Sequence, residues 1–593
     1  MKKYLLADIG STTTKALYCV VYEDHVDVVG MADAPTTVEA PNEDVKIGLA
    51  HALSRLQEQL DLHGGGERPG LIPHLDVNNN DGLLLTSSAG GGLQMLVIGL
   101  VRSMTGESAE RAALGGGGVI LDVLASNDNL EPFQRVDRIR SHRPDMILLA
   151  GGTEGGALLD VAKMAENLYQ ANPHSRFDSE QKLPLIYAGN TQLQPFMQET
   201  ANDFELTLVD NLRPELDREN LAPARLAIQE QFLNHVMEHA PGYAPLKGKV
   251  SAPILPTPMA VTRSLHLLAR RQETNLLAVD IGGATTDVFS VIDGAMNRSV
   301  SAHLGMSYSA MNVLREAGVY AIMRWLPGNI NERQLRNWVH NKMLFPATLP
   351  HDEISLLVEQ AVAREALRLA LDQHQQLVVE LKGNVPVGDW KRSSQDFFNN
   401  RSTFDIENIG LIIGSGGVIS HAPSLQQAAA LLVDAFLPLG WTDLMLDRNF
   451  TLPHIGALSQ IDADSAFRLL TEYSLVSLGA CLVPKGASFF ADAGTIKVTV
   501  EPQTGASREH RVRGRNLHLI PLEEDQACRI HISGVLNLDF GNGFWRGFER
   551  NVEPSKVGLL LDTRGRALPW AKQLSRCQNL STRWRESLGQ PNH

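Results

Sequence analysis

The stretch Leu5 to Lys15 reads LLADIGSTTTK, and Leu277 to Asp287 repeats it as LAVDIGGATTD. From Asp8 and Asp280 onward, five of eight positions are identical. A duplication of this kind points to two copies of one structural unit. An apolar run precedes each turn and another follows it, Ala16 to Val21 in the first copy and Val288 to Ile292 in the second. Each copy therefore predicts a β-hairpin whose small-residue turn sits between two buried strands. A second pair of motifs follows in the same order at nearly the same separation. These are Ile147-Leu148-Leu149-Ala150-Gly151-Gly152-Thr153 and Leu411-Ile412-Ile413-Gly414-Ser415-Gly416-Gly417. In both, an apolar strand runs into a glycine turn and then a segment able to form a helix. The expectation is two related α/β domains facing each other.

A chain of 593 residues has room for roughly four domains, or for fewer large ones with insertions. Its 43% apolar and 20% charged residues are ordinary for a globular protein with a sizeable core. A formal charge of −14 argues against a nucleic-acid surface, which needs clustered Lys and Arg. Cys19, Cys481, Cys528 and Cys577 lie far apart, so neither a disulfide framework nor a thiolate metal site is expected. A reducing cytoplasm fits that usage. The apolar run after Met1-Lys2-Lys3 breaks at Asp8, too early for an export signal. No apolar stretch approaches the ~18 residues of a membrane span.

Helical spacing recurs at Val45 to Leu60, Asn331 to Val339 and Ile354 to Leu381, so the insertions between motifs read as mostly helical. Residues 64–81 read as a loop. From about residue 490 the pattern alternates apolar and polar, as in Thr495 to Val500 and Arg529 to Ile532, which predicts a small all-β domain. The last stretch, rich in Arg and Gln, reads as a helix or a loose tail. The expected domains are 1–272, 273–488 and 489–593.

A turn of small residues after a strand presents backbone N–H groups, and Ser or Thr hydroxyls add donors. Together they suit phosphate oxygens. In the first turn the expected phosphate ligands are Gly10, Ser11, Thr12 and Thr13, with Lys15 neutralising charge. In the second, Gly282, Gly283, Ala284, Thr285 and Thr286 would hold the other side of a polyphosphate. Asp8, Asp280 and Asp287 offer oxygens to a hydrated Mg²⁺, Asp8 and Asp280 being the expected metal ligands. Asp280 or Asp287 is expected to orient an attacking water. Gly414, Ser415, Gly416 and Gly417 lack bulk and would let a flat adenosine approach the backbone. Each turn alone fits a plain hairpin; the repetition is what argues for ATP or ADP with Mg²⁺.

These loops resemble the two phosphate motifs and the adenosine motif of the actin, heat-shock chaperone and sugar-kinase superfamily of ATPases. A closer resemblance is to the GlmL/MutL family, accessory proteins of glutamate mutase. It rests on Ser87-Ser-Ala-Gly-Gly-Gly-Leu-Gln-Met, Ala109-Glu-Arg-Ala-Ala-Leu-Gly, Leu148-Leu-Ala-Gly-Gly-Thr-Glu-Gly-Gly and Pro256-Thr-Pro. It continues through Asp280-Ile-Gly-Gly-Ala-Thr-Thr-Asp, Leu304-Gly-Met and Asp447-Arg-Asn-Phe-Thr-Leu-Pro. The resemblance implies an α/β fold of two ribonuclease-H-like, actin-like ATPase domains around a nucleotide cleft, with helical insertions and a C-terminal all-β domain. It implies a slow Mg-dependent ATP hydrolase that reactivates an adenosylcobalamin-dependent mutase by releasing damaged cobalamin. Mutase subunits are then the expected partners, with no nucleic acid and no membrane. Whether the client is a glutamate mutase or an aminomutase stays open.

Other motifs invite rival readings. Asp61-Leu62-His63-Gly64-Gly65-Gly66 imitates a cobalamin-binding DxHxxG pattern, but it leaves a helical run for a Gly/Pro loop, so a helix C-terminal turn is expected there. Glu154 reads as a solvated turn carboxylate before a metal ligand, and Arg564 and Arg566 as a solvated β-turn before a docking site. A small-molecule kinase and an ATP-gated assembly protein are the alternative functions, although no sugar-kinase substrate motif is found.

Overall fold

The computed structural model describes residues 2–10, 12–38, 42–62, 82–88, 93–175, 182–232, 242–378, 404–486, 495–533 and 538–589. They form two compact units, each entered by the chain more than once. The first gathers the described residues of Met1–Leu268 with Leu452–Tyr473, the second those of Ala269–Val378, Ser402–Thr451 and Ser474–His593. Ser11 and His63 lie outside the described residues.

In the first unit β1 (Lys2–Ile9), β2 (Thr13–Val21) and β3 (Val26–Pro35) form an antiparallel meander. The strand β4 (Gly82–Ser87) then lies parallel to β1. The chain next departs into an insertion with its own sheet. Its strands are β5 (Leu93–Gly99), β6 (Gly118–Ala125), β7 (Met146–Leu149), β8 (Leu183–Tyr187) and β9 (Phe204–Leu208), all parallel, in the order β6-β5-β7-β8-β9. A short β10 (Leu255–Pro256) returns beside β4 and completes the order β10-β4-β1-β2-β3.

Strands of a parallel sheet are buried on both faces and read as unbroken apolar runs. In β7, Met146 and Leu148 enter the core shared with β1 and β4, while Ile147 and Leu149 enter the one that holds Val161 and Leu168. This placement overturns the expected pairing of the two downstream glycine motifs. Gly151-Gly152 follows a strand of the insertion, so the counterpart of Leu411 to Ser415 is β4, the parallel neighbour of β1.

The second unit shows why. Its strands β11 (Leu276–Ile281), β12 (Thr286–Ile292), β13 (Ala295–Ser301), β14 (Leu411–Ser415) and β15 (Gly440–Asp447) repeat the first order as β13-β12-β11-β14-β15. Both units are thus ribonuclease-H-like α/β sheets. The second sheet continues through β16 (Leu475–Val483). Of the later strands β17 (Thr495–Pro502), β18 (Arg508–Arg513), β19 (Leu517–Ile520), β20 (Cys528–Ile532), β21 (Phe548–Val552) and β22 (Gly558–Asp562), β22 and then β19 extend that same sheet. The other four make an antiparallel sheet ordered β18-β17-β20-β21. Alternation along β22 joins the layers: Leu559 and Leu561 pack with Ile496, Val498 and Ile530, whereas Leu560 faces the main core. The tail forms a helix, Leu574–Ser587.

Arg564 is not in a solvated turn. It is 2% exposed and donates to Asp562 and Asp434, while Arg566 donates to Asp562 as well. The four cysteines are buried and unpaired. Among the described residues no helix is long and apolar enough to cross a membrane.

The long helix Glu353–Leu377 carries His374 into the core, together with the buried Glu359, Arg364 and Glu365. His374 is fully buried, with Ser299 Oγ at Nδ1 (2.8 Å), Ser290 Oγ at Nε2 (2.9 Å) and the Phe404 ring edge-on. Burial pushes its ring down to about 3. The unfolded chain takes up that proton near pH 6.5, so this contribution is complete above 6.5 and declines as pH falls toward 3. The slope is about 1.4 kcal/mol per pH unit. Between pH 7 and pH 5 the wild type is expected to lose about 2 kcal/mol more than His374→Gln, as measured by urea unfolding of the second unit's transition. Equal losses would remove His374 as the sensor.

Candidate functional site

Each Asp-Ile-Gly segment ends a central strand and opens a four-residue bend. In the first unit Ile9 pairs with Thr14 and Asp8 with Lys15; in the second Ile281 pairs with Thr286 and Asp280 with Asp287. The bends close with the same hydrogen bond, Gly10 N–H to the Thr13 carbonyl (3.0 Å) and Gly282 N–H to the Thr285 carbonyl (2.8 Å). A Cβ at Gly10 would meet that carbonyl oxygen at 2.6 Å, so only glycine fits.

Both bends are buttressed through their carbonyl oxygens. Thr36 Oγ1 donates to Gly10 O (2.8 Å) and Thr36 N–H to Thr12 O (2.9 Å). In the second unit Met306 and Ser307 N–H donate to Gly282 O (2.9 Å) and Gly283 O (2.8 Å), and Ser309 Oγ donates to Ala284 O (2.7 Å). Among the described residues the amides of Thr12, Gly283 and Ala284 have no acceptor. Occupied carbonyls beside unclaimed N–H groups are the makings of an anion cradle. Thr286 is a buttress rather than part of that cradle: it is buried, and its hydroxyl donates to Leu304 O (2.5 Å).

The aspartates differ in their surroundings. Asp8 is 9% exposed, and its Oδ1 accepts from Thr86 Oγ1 and Thr257 Oγ1, both at 2.6 Å. Oδ2 accepts from no described residue. Beside Thr86, the Ser87 hydroxyl is bonded to the buried Tyr243 hydroxyl. Asp280 is exposed. Asp287 is engaged: Arg298, 4% exposed, donates to its Oδ1 through Nε (2.9 Å) and Nη2 (2.7 Å). Asp287 stands directly across from Asp280, and the Arg298 guanidinium offsets the repulsion between the two carboxylates.

Thr86 lies opposite Asp8 on β4, as Ser415 lies opposite Asp280 on β14. After Ser415, Gly416 takes φ 103°, and a Cβ there would meet the Ile281 carbonyl oxygen at 2.3 Å. Glycine therefore brings the turn against the end of β11, while Gly417 faces open space. Thr86, Thr257, Tyr243 and Arg298 escaped sequence reasoning; the only signal was Thr257 within Pro256-Thr-Pro. Within the first unit the fold gathers Asp8, Gly10, Thr12, Thr13 and Lys15, and within the second Asp280, Gly282 to Thr286, Asp287 and Gly414 to Gly417. Among the described residues no three His, Cys, Asp or Glu side chains gather as a metal site. The donor set suits a hard cation held mainly by phosphates and waters, with one or two carboxylates.

Glu154, at the carboxyl edge of the inserted sheet, is exposed yet tied down. Its oxygens accept from Thr191 N–H and Oγ1 and from Asn211 Nδ2. Burial acts against that anion, but these bonds outweigh it and lower its pKa.

A family model described as MutL protein matches residues 4–474. Protein MutL of Clostridium tetanomorphum is 29% identical over 504 residues, covering 80% of this chain and 99% of that protein. Among solved structures, nucleotide-free acetone carboxylase aligns with 86% of this chain and 81% of its own (12% identity, TM-score 0.33). Diol dehydratase-reactivating factor in nucleotide-free form aligns with 78% and 99% (11% identity, TM-score 0.31). The family match runs from β1 to the end of the segment that rejoins the first unit and takes in both Asp-Ile-Gly hairpins, so the chain belongs to the MutL protein family.

Proposed function

We propose that the two hairpin bends bind the phosphates of ATP and that the chain is a slow, magnesium-dependent ATP hydrolase. Its role in this reading is to reactivate an adenosylcobalamin-dependent mutase of the glutamate mutase or aminomutase type, in the cytoplasm. The observation that carries the ATPase is the same hydrogen-bonded bend, led by an aspartate and with carbonyls of its described residues held by buttressing donors, built twice in two separate sheets. Family membership together with the GlmL/MutL-like segments carries the choice of client.

In this reading Gly10, Ser11, Thr12, Thr13 and Lys15 hold phosphate oxygens in the first unit, and Gly282, Gly283, Ala284 and Thr285 in the second, with Thr286 fixing its bend. Asp8 and Asp280 orient the waters of magnesium, which when bound neutralises phosphate charge. Asp280 also positions the attacking water from the exposed end of β11. Gly414 to Gly417 receive the adenosine. Hydrolysis removes the terminal phosphate and with it the contacts that distinguish ATP from ADP, the differential binding a conformational cycle requires.

The test uses a mutase blocked with hydroxocobalamin. The full chain with Mg–ATP and free adenosylcobalamin is expected to restore its activity, whereas a non-hydrolysable analogue is not. Restoration that needs no nucleotide, or none at all with any mutase of this class, overturns the proposal.

A further inference from the structure

Between the helices Glu353–Leu377, Leu425–Phe436 and Leu574–Ser587 of the second unit lies a cavity of about 10 Å³. That is room for one water-sized occupant. Its lining residues include Arg364, Arg564, Arg585, Asp434, Trp325 and Trp584.

Both oxygens of Asp434 are engaged, Oδ1 by Arg564 Nη1 (2.7 Å) and Oδ2 by Arg364 Nε (2.8 Å). Arg564 and Arg566 share Asp562. Arg585 meets no carboxylate among the described residues; it donates to the Trp325 carbonyl (3.2 Å) and to Thr582 Oγ1 (3.1 Å). Burial, with Arg364 adding to it, pushes Arg585 down to about 10. Trp584 is 3% exposed, and among the described residues its Nε1–H has no acceptor. Arg564 stacks over the Trp584 ring at 4.7 Å and Arg364 over Trp325 at 5.2 Å.

A buried donor without an acceptor is rare and calls for an occupant. The charges of Glu353, Asp434 and Glu586 act on Arg585 without bonding to it, and the Trp584 indole N–H is left over, so the best occupant accepts hydrogen bonds and donates none. A water brings two hydrogens to place; a halide brings a full negative charge and no hydrogens. We propose that this cavity is a binding site for a monatomic anion, chloride under physiological conditions, held by the Trp584 indole N–H and the Arg585 and Arg364 guanidiniums. Occupied, it fastens the C-terminal helix to the helix Glu353–Leu377 of the ATPase-type fold.

Crystals of the full chain soaked in sodium bromide and measured at the bromine edge test this directly. The expected result is an anomalous peak within hydrogen-bonding reach of Trp584 Nε1. Trp584→Phe, which keeps a ring and removes the donor, is expected to lose that peak. A cavity holding only a water, with no anomalous signal, overturns the proposal. In solution the wild type is expected to melt higher in sodium chloride than in sodium gluconate of equal ionic strength, and Trp584→Phe to show a smaller difference. Identical wild-type melting in the two salts counts against the site.

Discussion

Asp280→Ala is expected to lower ATP turnover by about 100- to 1,000-fold, equivalent to roughly 3–4 kcal/mol of transition-state stabilisation, while leaving the unfolding midpoint nearly unchanged. The second half of that expectation follows from position. Asp280 is exposed at the end of β11, so its removal empties no core. The two other aspartates give less clean answers. Asp8→Ala would also strand the hydroxyls of Thr86 and Thr257, both of which donate to Asp8 Oδ1. Asp287→Ala would remove the carboxylate that accepts from Arg298 Nε and Nη2, so it disturbs a buried ion pair as well as the site. Phosphate release by Asp280→Ala, set beside its denaturation curve, therefore separates chemistry from folding. Unchanged release would sink the assignment of the second bend to ATP.

The hairpins were legible because a bend between buried strands imposes its own composition. Gly10 is required by the Thr13 carbonyl at 2.6 Å, so the motif survives in both copies as local chemistry. The inserted sheet was not legible. A buried parallel strand followed by a glycine turn and a helix looks alike whether it sits in a ribonuclease-H-like sheet or in an all-parallel one. Only pairing separates Leu148 on β7, which neighbours β5 and β8, from Ile412 on β14, which neighbours β11 and β15. The supports of the aspartates were hidden for a related reason: Thr257 reaches Asp8 across 249 positions, and no periodicity records such a contact. Arg564 was misjudged on residue type alone, since Asp-Thr-Arg-Gly-Arg has the makeup of an exposed turn.

That residue anchors a buried ionic cluster in the second unit. Arg564→Met is expected to destabilise it by about 3–5 kcal/mol, the usual result of removing one partner from a buried ionic cluster. Arg564 bonds Asp562 through Nε (3.0 Å) and Nη2 (2.8 Å) and Asp434 through Nη1 (2.7 Å), and all three side chains are buried. Burial opposes ionisation of Asp562, but Arg564 and then Arg566 outweigh it and hold the carboxylate well below its usual range. A depressed carboxylate stabilises the fold above pH ~4 and loses that contribution only as the pH falls below it. The destabilisation by Arg564→Met should therefore be full at pH 7 and smaller in strong acid. It should also resist added salt, because buried pairs are poorly screened. Asp562→Leu combined with Arg564→Met removes both ends of the strongest pair. The double variant should be more stable than the sum of the single losses predicts, by about 0.5–3 kcal/mol. Additive losses in chemical denaturation would show that Arg564 contributes through packing on Trp584 rather than through its charge.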